Sequence, residues 1–365
     1  MKITGGRLLR TTLHTHEPFR IAFEVLDECH GIVLELLTDT GLVGLGEAAP
    51  ARRITGETDQ TVISVLKKVL LPAILGCDPL DLQEIHRRMD DAIFRNPSAK
   101  AAVDLACYDL IGKSKGKPVV TILGGEPKAL KTDHTISIKP PTEQAKKAES
   151  LIKQGFRHLK IKLGTGEKED VERVKAIREK IGPSVILRVD SNQGWGVKES
   201  LSVLEKIQPY DIELAEQPIK AHDLKGLAFL KKHSPIPIAA DESVHSPEDA
   251  LKAIELEACD IINIKLMKSG GIYPALRIAE MVEKAGLSCM IGGMIGESRL
   301  AVGAAAHFAA SRAVVKYYDL DADILLRDDL VEEGGIGLQD GCRTIPDFPG
   351  LGVSKLRAKF LELLP

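Results

Sequence analysis

Apolar and polar positions alternate along the chain in two rhythms. Up to residue 50 the period is two. Residues 7–14, 31–38 and 41–47 are short runs rich in Leu, Val and Thr, and successive side chains on a strand point to opposite faces. Asp39-Thr40-Gly41 lies between the last two runs and predicts a hairpin turn. From residue 57 to 114 the period lengthens to that of a helix. Val62, Val65, Leu66 and Val69 share one face, and Pro72 and Pro79 punctuate the stretch. Ser98 then precedes Ala101, Ala102, Leu105 and Ala106, a small-residue helix suited to close packing. Strands followed by helices predict an α+β unit.

From residue 131 short apolar runs alternate with amphipathic helical stretches. The runs span 134–138, 158–163, 185–189, 212–215, 236–240, 261–264, 287–291 and 314–320. The helical stretches between them include 142–154, 167–181, 198–207, 246–256 and 272–285. Strands that alternate with single helices imply parallel βαβ units. Eight such runs fit a closed (β/α)8-type barrel better than an open doubly wound sheet. Neither GxGxxG nor GxxxxGK[ST] occurs to support a nucleotide-binding version of the open sheet. The last 40 residues carry turn signals at Gly334-Gly335, Gly337 and 346–352, and then the pattern of a short helix.

Composition narrows the class. The chain has 365 residues, with 49 Lys+Arg against 52 Asp+Glu, a net charge of −3. This balance argues against nucleic acid as a partner. Charge-free stretches reach about a dozen residues, well short of the roughly 20 that a membrane span needs. No apolar segment follows the basic N-terminal residues, so no signal peptide is expected. The six cysteines (29, 77, 107, 259, 289 and 342) show no metal spacing. They read as free thiols of a cytoplasmic protein.

In a barrel of this kind, catalytic side chains come from the C-terminal ends of the strands. The second run ends Lys160-Ile161-Lys162, with both lysines on one face. The next four runs end in Asp190, Glu216, Asp241 and Lys265, spaced 26, 25 and 24 residues apart. The eighth carries Asp319 and Asp321. Any one of these alone reads as a cap or turn residue. Together, three carboxylates on consecutive strand ends would repel each other unless a cation joins them. An all-oxygen set suits a hard ion such as Mg2+. Lys162 and Lys265 then flank the carboxylates from either side. Two bases so placed can take a proton from one face of a carbon and return it to the other. A lysine base needs a lowered pKa, which Lys160 beside Lys162 and the metal would supply.

These residues resemble the enolase superfamily, whose sites are known to combine a Lys or His base with Mg2+. Within it they resemble the muconate-lactonizing-enzyme-like subgroup. The resemblance rests on GLGEAAP (44–50), ITGE (54–57), SAKAAVDLACYDL (98–110), LKIK (159–162), RVDSNQGW (188–195), EQP (216–218), ADES (240–243), NIKLMKSGG (263–271) and AAAHFAA (304–310). Asp319-Leu320-Asp321 makes the chain most similar to the dipeptide epimerases, which include the L-Ala-D/L-Glu epimerases. The resemblance implies a modified (β/α)7β TIM-type barrel over residues 126–325. It implies an α+β capping domain over 1–125, completed by 326–365. It also implies that Asp190, Glu216 and Asp241 ligate Mg2+, and that Lys162 and Lys265 are the acid/base pair. Lys160 would bind the substrate carboxylate, Asp319 or Asp321 its ammonium, and Glu297, at the pocket wall, would be a further substrate-binding residue.

The expected activity is 1,1-proton transfer at the C-terminal residue of a dipeptide. Where the Ala-Glu epimerases carry an arginine that pairs with the substrate's glutamate, this chain has Glu24. With Asp27 and Glu28 nearby, that substitution favours cationic, Lys- or Arg-containing dipeptides. The rivals are L-Ala-D/L-Glu epimerisation itself, N-succinylamino acid racemisation, o-succinylbenzoate synthesis and muconate cycloisomerisation. The expected partners are a small-molecule dipeptide and further copies of the chain, with neither nucleic acid nor membrane. His134, His158 and His307 read as core histidines, Glu242 as facing away from the site, and Lys268 as a helix-start or loop residue.

Overall fold

The computed structural model describes residues 1–364. Its first layer is an antiparallel sheet of β1 (Ile3–Arg20), β2 (Val25–Thr38) and β3 (Val43–Ala48). The strands are longer than the apolar runs suggest. Residues 15–30, which lack clean alternation, continue β1 and β2 through irregular pairing between His14 and Phe19. A tight turn closes the hairpin, with Ile21 N donating to Glu24 O at 2.9 Å.

Helices α1 (Asp59–Val65), α2 (Leu71–Ile74), α3 (Leu82–Ala92), α4 (Pro97–Lys115) and α5 (Val119–Ile122) follow. A π-helical turn over Leu66–Leu70 joins the first two. Helix α4 is buried on every side from Ser98 to Gly112. That explains its small-residue composition and its lack of an amphipathic face. Gly46 on β3 lets the sheet touch α4, since a Cβ there would fall 1.9 Å from Ala102 O.

After β4 (Leu130–Lys131) the eight expected runs become strands. They are β5 (His134–Ile136), β6 (His158–Lys162), β7 (Ile186–Asp190), β8 (Ile212–Glu216), β9 (Ile238–Ala240), β10 (Ile261–Lys265), β11 (Ser288–Gly292) and β12 (Val315–Tyr318). All neighbours pair in parallel, in sequential order. The crossovers carry α6 (Pro141–Lys153), α7 (Glu167–Ile181), α8 (Val197–Ile207), α9 (Leu224–His233) and α10 (Pro247–Glu255). They continue with α11 (Leu266–Ser269), α12 (Ile272–Lys284) and α13 (Arg299–Ser311). Asp133 N donates to Tyr318 O at 3.1 Å between the two end strands. The result is a (β/α)7β barrel. Leu214, Ala239, Ile261 and Met290 form one apolar cluster among its strands.

Beyond the barrel lie β13 (Val331–Gly334), β14 (Gly337–Gln339), β15 (Cys342–Thr344), β16 (Val353–Leu356) and β17 (Leu361–Leu363). The final segment folds back as expected, and β17 pairs with Leu9–Thr11 of β1. The short helix expected there is instead one 3-10 turn over Ala358–Phe360, followed by this strand. Pairing with the open edge of β1 wins over local helical preference.

Buried carboxylates from the first layer dock onto helix N-termini of the barrel, where free N–H groups favour an anion. Glu47 accepts from Ser298 N (2.8 Å), Ser298 Oγ (2.5 Å) and Ala301 N (3.2 Å) at the start of α13. Asp104 accepts from Ile272 N (2.5 Å) and Tyr273 N (3.2 Å) at the start of α12. Gly271, at φ +112°, leaves room for it, since a Cβ would meet the carboxylate at 2.3 Å. The Gly270-Gly271 turn thus serves a carboxylate of the chain itself. Among the described residues the six cysteines are unpaired, and no helix is long and apolar enough to cross a membrane.

Candidate active site

Parallel pairing brings the strand-end residues to one level. Lys162 pairs with Asp190 across β6 and β7, and Asp190 pairs with Glu216 across β7 and β8. Asp241 directly follows β9, and Lys265 ends β10. In the sheet order β6 and β10 stand four strands apart. In a barrel of eight that places them on opposite walls.

A cleft open to solvent lies over this end of the barrel. Lys160, Lys162, Lys265, Asp319, Asp321 and Glu24 all line it. Asp190, Glu216 and Asp241 sit just beneath, all three fully buried. Each is engaged by an ammonium group. Lys162 Nζ meets Asp190 Oδ2 at 2.5 Å, and Lys160 Nζ lies 3.4 Å from Glu216 Oε2. Lys265 Nζ meets Asp241 Oδ2 at 2.8 Å and Lys268 Nζ meets Asp241 Oδ1 at 2.5 Å. Asn263 Nδ2 donates to Glu216 Oε1 at 2.7 Å, while Glu216 Oε2 has no hydrogen-bond partner.

The electrostatics follow from this packing. Burial, reinforced by the Asp190 charge, pushes the Glu216 carboxyl up to about 8. Burial also acts against the charge on Asp241, but Lys265 and Lys268 outweigh it and hold that carboxyl well below the usual range. Burial disfavours the Lys265 ammonium too, yet Asp241 and Glu216 hold it charged above its ordinary range. The carboxylates stabilise the ammonium groups they touch.

On the opposite side, Asp319 pairs with Lys160, and Asp321 Oδ2 accepts from Thr135 N at 2.5 Å. Burial, with the charge of Asp319, pushes Asp321 up to about 7. Asp133, Asp319 and Asp321 each offer an oxygen within 4.8 Å of the others, a tighter cluster than the strand-end trio.

At the mouth, Glu24 Oε1 accepts from Arg52 Nη2 at 3.1 Å. Arg53 stacks 4.7 Å above the Phe23 ring. Phe19, Ile21, Leu26, Ile295 and Leu325 complete an apolar wall. Two expectations need correction here. Glu297 stands behind Gly293 and Met294 and accepts from Met294 N at 2.8 Å, so it does not line the cleft. Glu28 pairs with His14 and His30 and, like Asp27, lies outside the cleft.

Sequence reasoning also set aside groups that belong to the site. Lys268 is fully buried against Asp241. Glu242 is buried and accepts from Asn192 Nδ2 at 3.3 Å. Arg188 shares a strand face with Asp190, which period two makes legible. Asn192, Gln193 and Gln217 adopt left-handed φ values of 43°, 66° and 35° just after Asp190 and Glu216. Such strain concentrates where side chains must be aimed.

Comparison with known proteins supplies the family context. The family model for the mandelate racemase / muconate lactonizing enzyme N-terminal domain matches residues 6–124. That for the enolase C-terminal domain-like fold matches residues 143–358. The L-Ala-D/L-Glu epimerase of Clostridium acetobutylicum is 42% identical over 340 residues, 92% of this chain and 94% of its own. The hydrophobic dipeptide epimerase of Enterococcus faecalis is 40% identical over 97% of this chain and all of its own. Its structure with Mg and L-Leu-L-Tyr superposes with a TM-score of 0.95, covering 97% of this chain and 100% of that one. The L-Lys-D/L-Arg epimerase of Methylococcus capsulatus is 40% identical over 97% of this chain and 99% of its own. The dipeptide epimerase of that organism with Mg and L-Arg-D-Lys gives a TM-score of 0.92 at 38% identity, covering 97% and 100%.

Proposed function

The chain belongs to the mandelate racemase / muconate lactonizing enzyme family of the enolase superfamily, and from that premise we propose that it is a magnesium-dependent dipeptide epimerase. It inverts the α-carbon of the C-terminal residue and favours dipeptides that contain Lys or Arg. The observation that carries this reading is the cleft itself. Lys162 and Lys265 enter it from strands four apart, and Asp319 and Asp321 line the same space.

The residues present fit a hard divalent cation. Asp190, Glu216 and Asp241 offer only oxygen, are fully buried, and leave Glu216 Oε2 without a hydrogen bond. Cationic side chains contact both this trio and the tighter Asp133–Asp319–Asp321 cluster; the ion is assigned to the trio because its strands lie between those of Lys162 and Lys265 in the barrel order. A divalent ion on the strand-end trio would offset negative charge that develops on a substrate carboxylate.

The remaining work falls to this chain's own side chains. Asp319 and Asp321 receive the substrate ammonium, and Lys160 lies toward the carboxylate end. One of Lys162 and Lys265, as the free amine, removes the α-proton. The other, as the ammonium, delivers a proton to the opposite face. Glu24 at the mouth attracts a cationic side chain, and the apolar wall covers its aliphatic stem.

A dipeptide library incubated with the protein and Mg2+ in D2O tests the reading. Substrates that epimerise gain one mass unit, and activity disappears on chelation and returns with Mg2+. A library in which no dipeptide exchanges or inverts would refute it.

A further inference from the structure

Asp133 lies just before β5 and has no role in the proton transfer described above. Its side chain is fully buried. Oδ2 accepts from Arg188 Nη1 at 2.8 Å. Arg188 is itself held by Glu213 at 2.6 Å, by Tyr318 O at 3.1 Å and by the Tyr317 ring at 5.4 Å. Asp133 Oδ1 has no hydrogen-bond partner. Asp319 repeats the pattern. Lys160 takes Oδ2, and buried Oδ1 has no partner.

The two carboxyls belong to the cluster whose oxygens approach within 4.8 Å. Two buried carboxylates this close repel strongly, and each has an oxygen that lacks a donor. One proton between them removes both deficits. Its place is on Asp133. Burial and the Asp319 charge favour the neutral form there. On Asp319, burial is outweighed by the charge of Lys160, which favours the ionised form.

We propose that Asp133 is a positioning residue: its neutral carboxyl, anchored by Arg188, donates a hydrogen bond to Asp319 Oδ1 and aims that carboxylate at the substrate ammonium. The ammonium role of Asp319 rests on the function proposed above, whereas the Asp133–Asp319 hydrogen bond does not depend on it. The arrangement also explains a charge imbalance. Among the described residues, Asp133, Asp319 and Asp321 share only Arg188 and Lys160 as ion-pair partners, and both of those serve another acid as well. A neutral Asp133 lowers the negative charge without losing a donor.

The test uses two variants of the full chain. The infrared difference spectrum between the wild type and Asp133→Asn should show the C=O band of one buried protonated carboxyl. That arm needs no substrate, so it stands even if no dipeptide proves active. In the kinetic arm, Asp133→Ala should raise KM for a dipeptide about tenfold with kcat changed less than about twofold. That is the scale of one lost hydrogen bond to a charged group. Asp133→Asn keeps both a donor and an acceptor and should restore KM to within about threefold of wild type. Absence of the band overturns the proposal, as does a KM unmoved by Asp133→Ala or an Asn variant as impaired as the Ala one. If Asp133→Ala does not fold, the infrared comparison and the Asn variant's KM decide.

Discussion

Reversing the charge at the mouth of the cleft tests the proposed specificity most directly. Glu24 keeps 18% of its side chain exposed, and its partner Arg52 keeps 73%. Two unit charges 4 Å apart interact by about 1 kcal/mol in bulk water and about 4 kcal/mol at an effective dielectric of 20. Glu24 lies between these limits, so a substrate ammonium beside it would gain about 2 kcal/mol. To do so it must displace Arg52, and exposed ion pairs contribute at most about 1 kcal/mol. The net preference for a cation is then about 1 kcal/mol. Glu24→Arg removes that preference and adds a repulsion of similar size. Turnover efficiency for Xaa-Lys and Xaa-Arg should fall about 30-fold, the equivalent of about 2 kcal/mol. Xaa-Glu should gain. Arg52→Ala should do the reverse, raising kcat/KM for cationic dipeptides several-fold. The assay is the ratio of kcat/KM values for paired dipeptides, read by mass shift in D2O. A wild-type preference for Xaa-Glu, or a ratio unmoved by both variants, refutes the role of Glu24.

Other consequences concern the acid/base pair and the joint between the two layers. Lys162→Ala and Lys265→Ala should each lower epimerisation by about a thousandfold or more, while each retains deuterium exchange from only one diastereomer. Exchange from both in either variant removes that lysine from its role. Burial raises the Glu47 carboxyl from 4.5 to about 7. The folded state therefore holds this proton more tightly than the unfolded one. Its stabilising effect is complete below pH 4.5 and is lost as pH rises through 7. Glu47→Gln should thus gain about 3 kcal/mol on the wild type between pH 4.5 and pH 8, read from paired urea melts. A difference that does not change with pH counts against this. Gly46→Ala should cost about 2 kcal/mol or more, because its methyl must push α4 off the sheet. An unchanged melting temperature would mean the contact relaxes freely.

How much of this could be read beforehand depends on the range of the interaction. The eight barrel strands were legible because each is a short apolar run buried on both faces, bounded by an amphipathic helix. The strand-end residues were legible for a related reason. Parallel pairing in register turns a spacing of one βα unit into a shared level, as Lys162, Asp190 and Glu216 show. The irregular hairpin over residues 15–30 was not legible, because its pairing shifts between His14 and Phe19 and breaks the period of two. The closing strand β17 was also missed, since pairing with β1 joins segments some 350 residues apart, as in Leu9 with Leu363.

The site divides along the same line. Residues at the strand ends come together as the sequence leads one to expect. Those that act through a partner brought from elsewhere were not legible. Lys268 looked like the start of a short helix, yet it is fully buried because Asp241 from the preceding βα unit receives it. Asp133 carries no signal in the sequence, and it gains meaning only beside Arg188 and Asp319, which lie 55 and 186 residues further along. Glu297 erred in the other direction. The family resemblance put it among the substrate-binding residues, and the turn from Met294 to Glu297 draws its carboxyl back to its own backbone. What the chain states locally is where charge is placed. How that charge is neutralised, and therefore which groups can move a proton, is decided by contacts between units that only the folded barrel brings together.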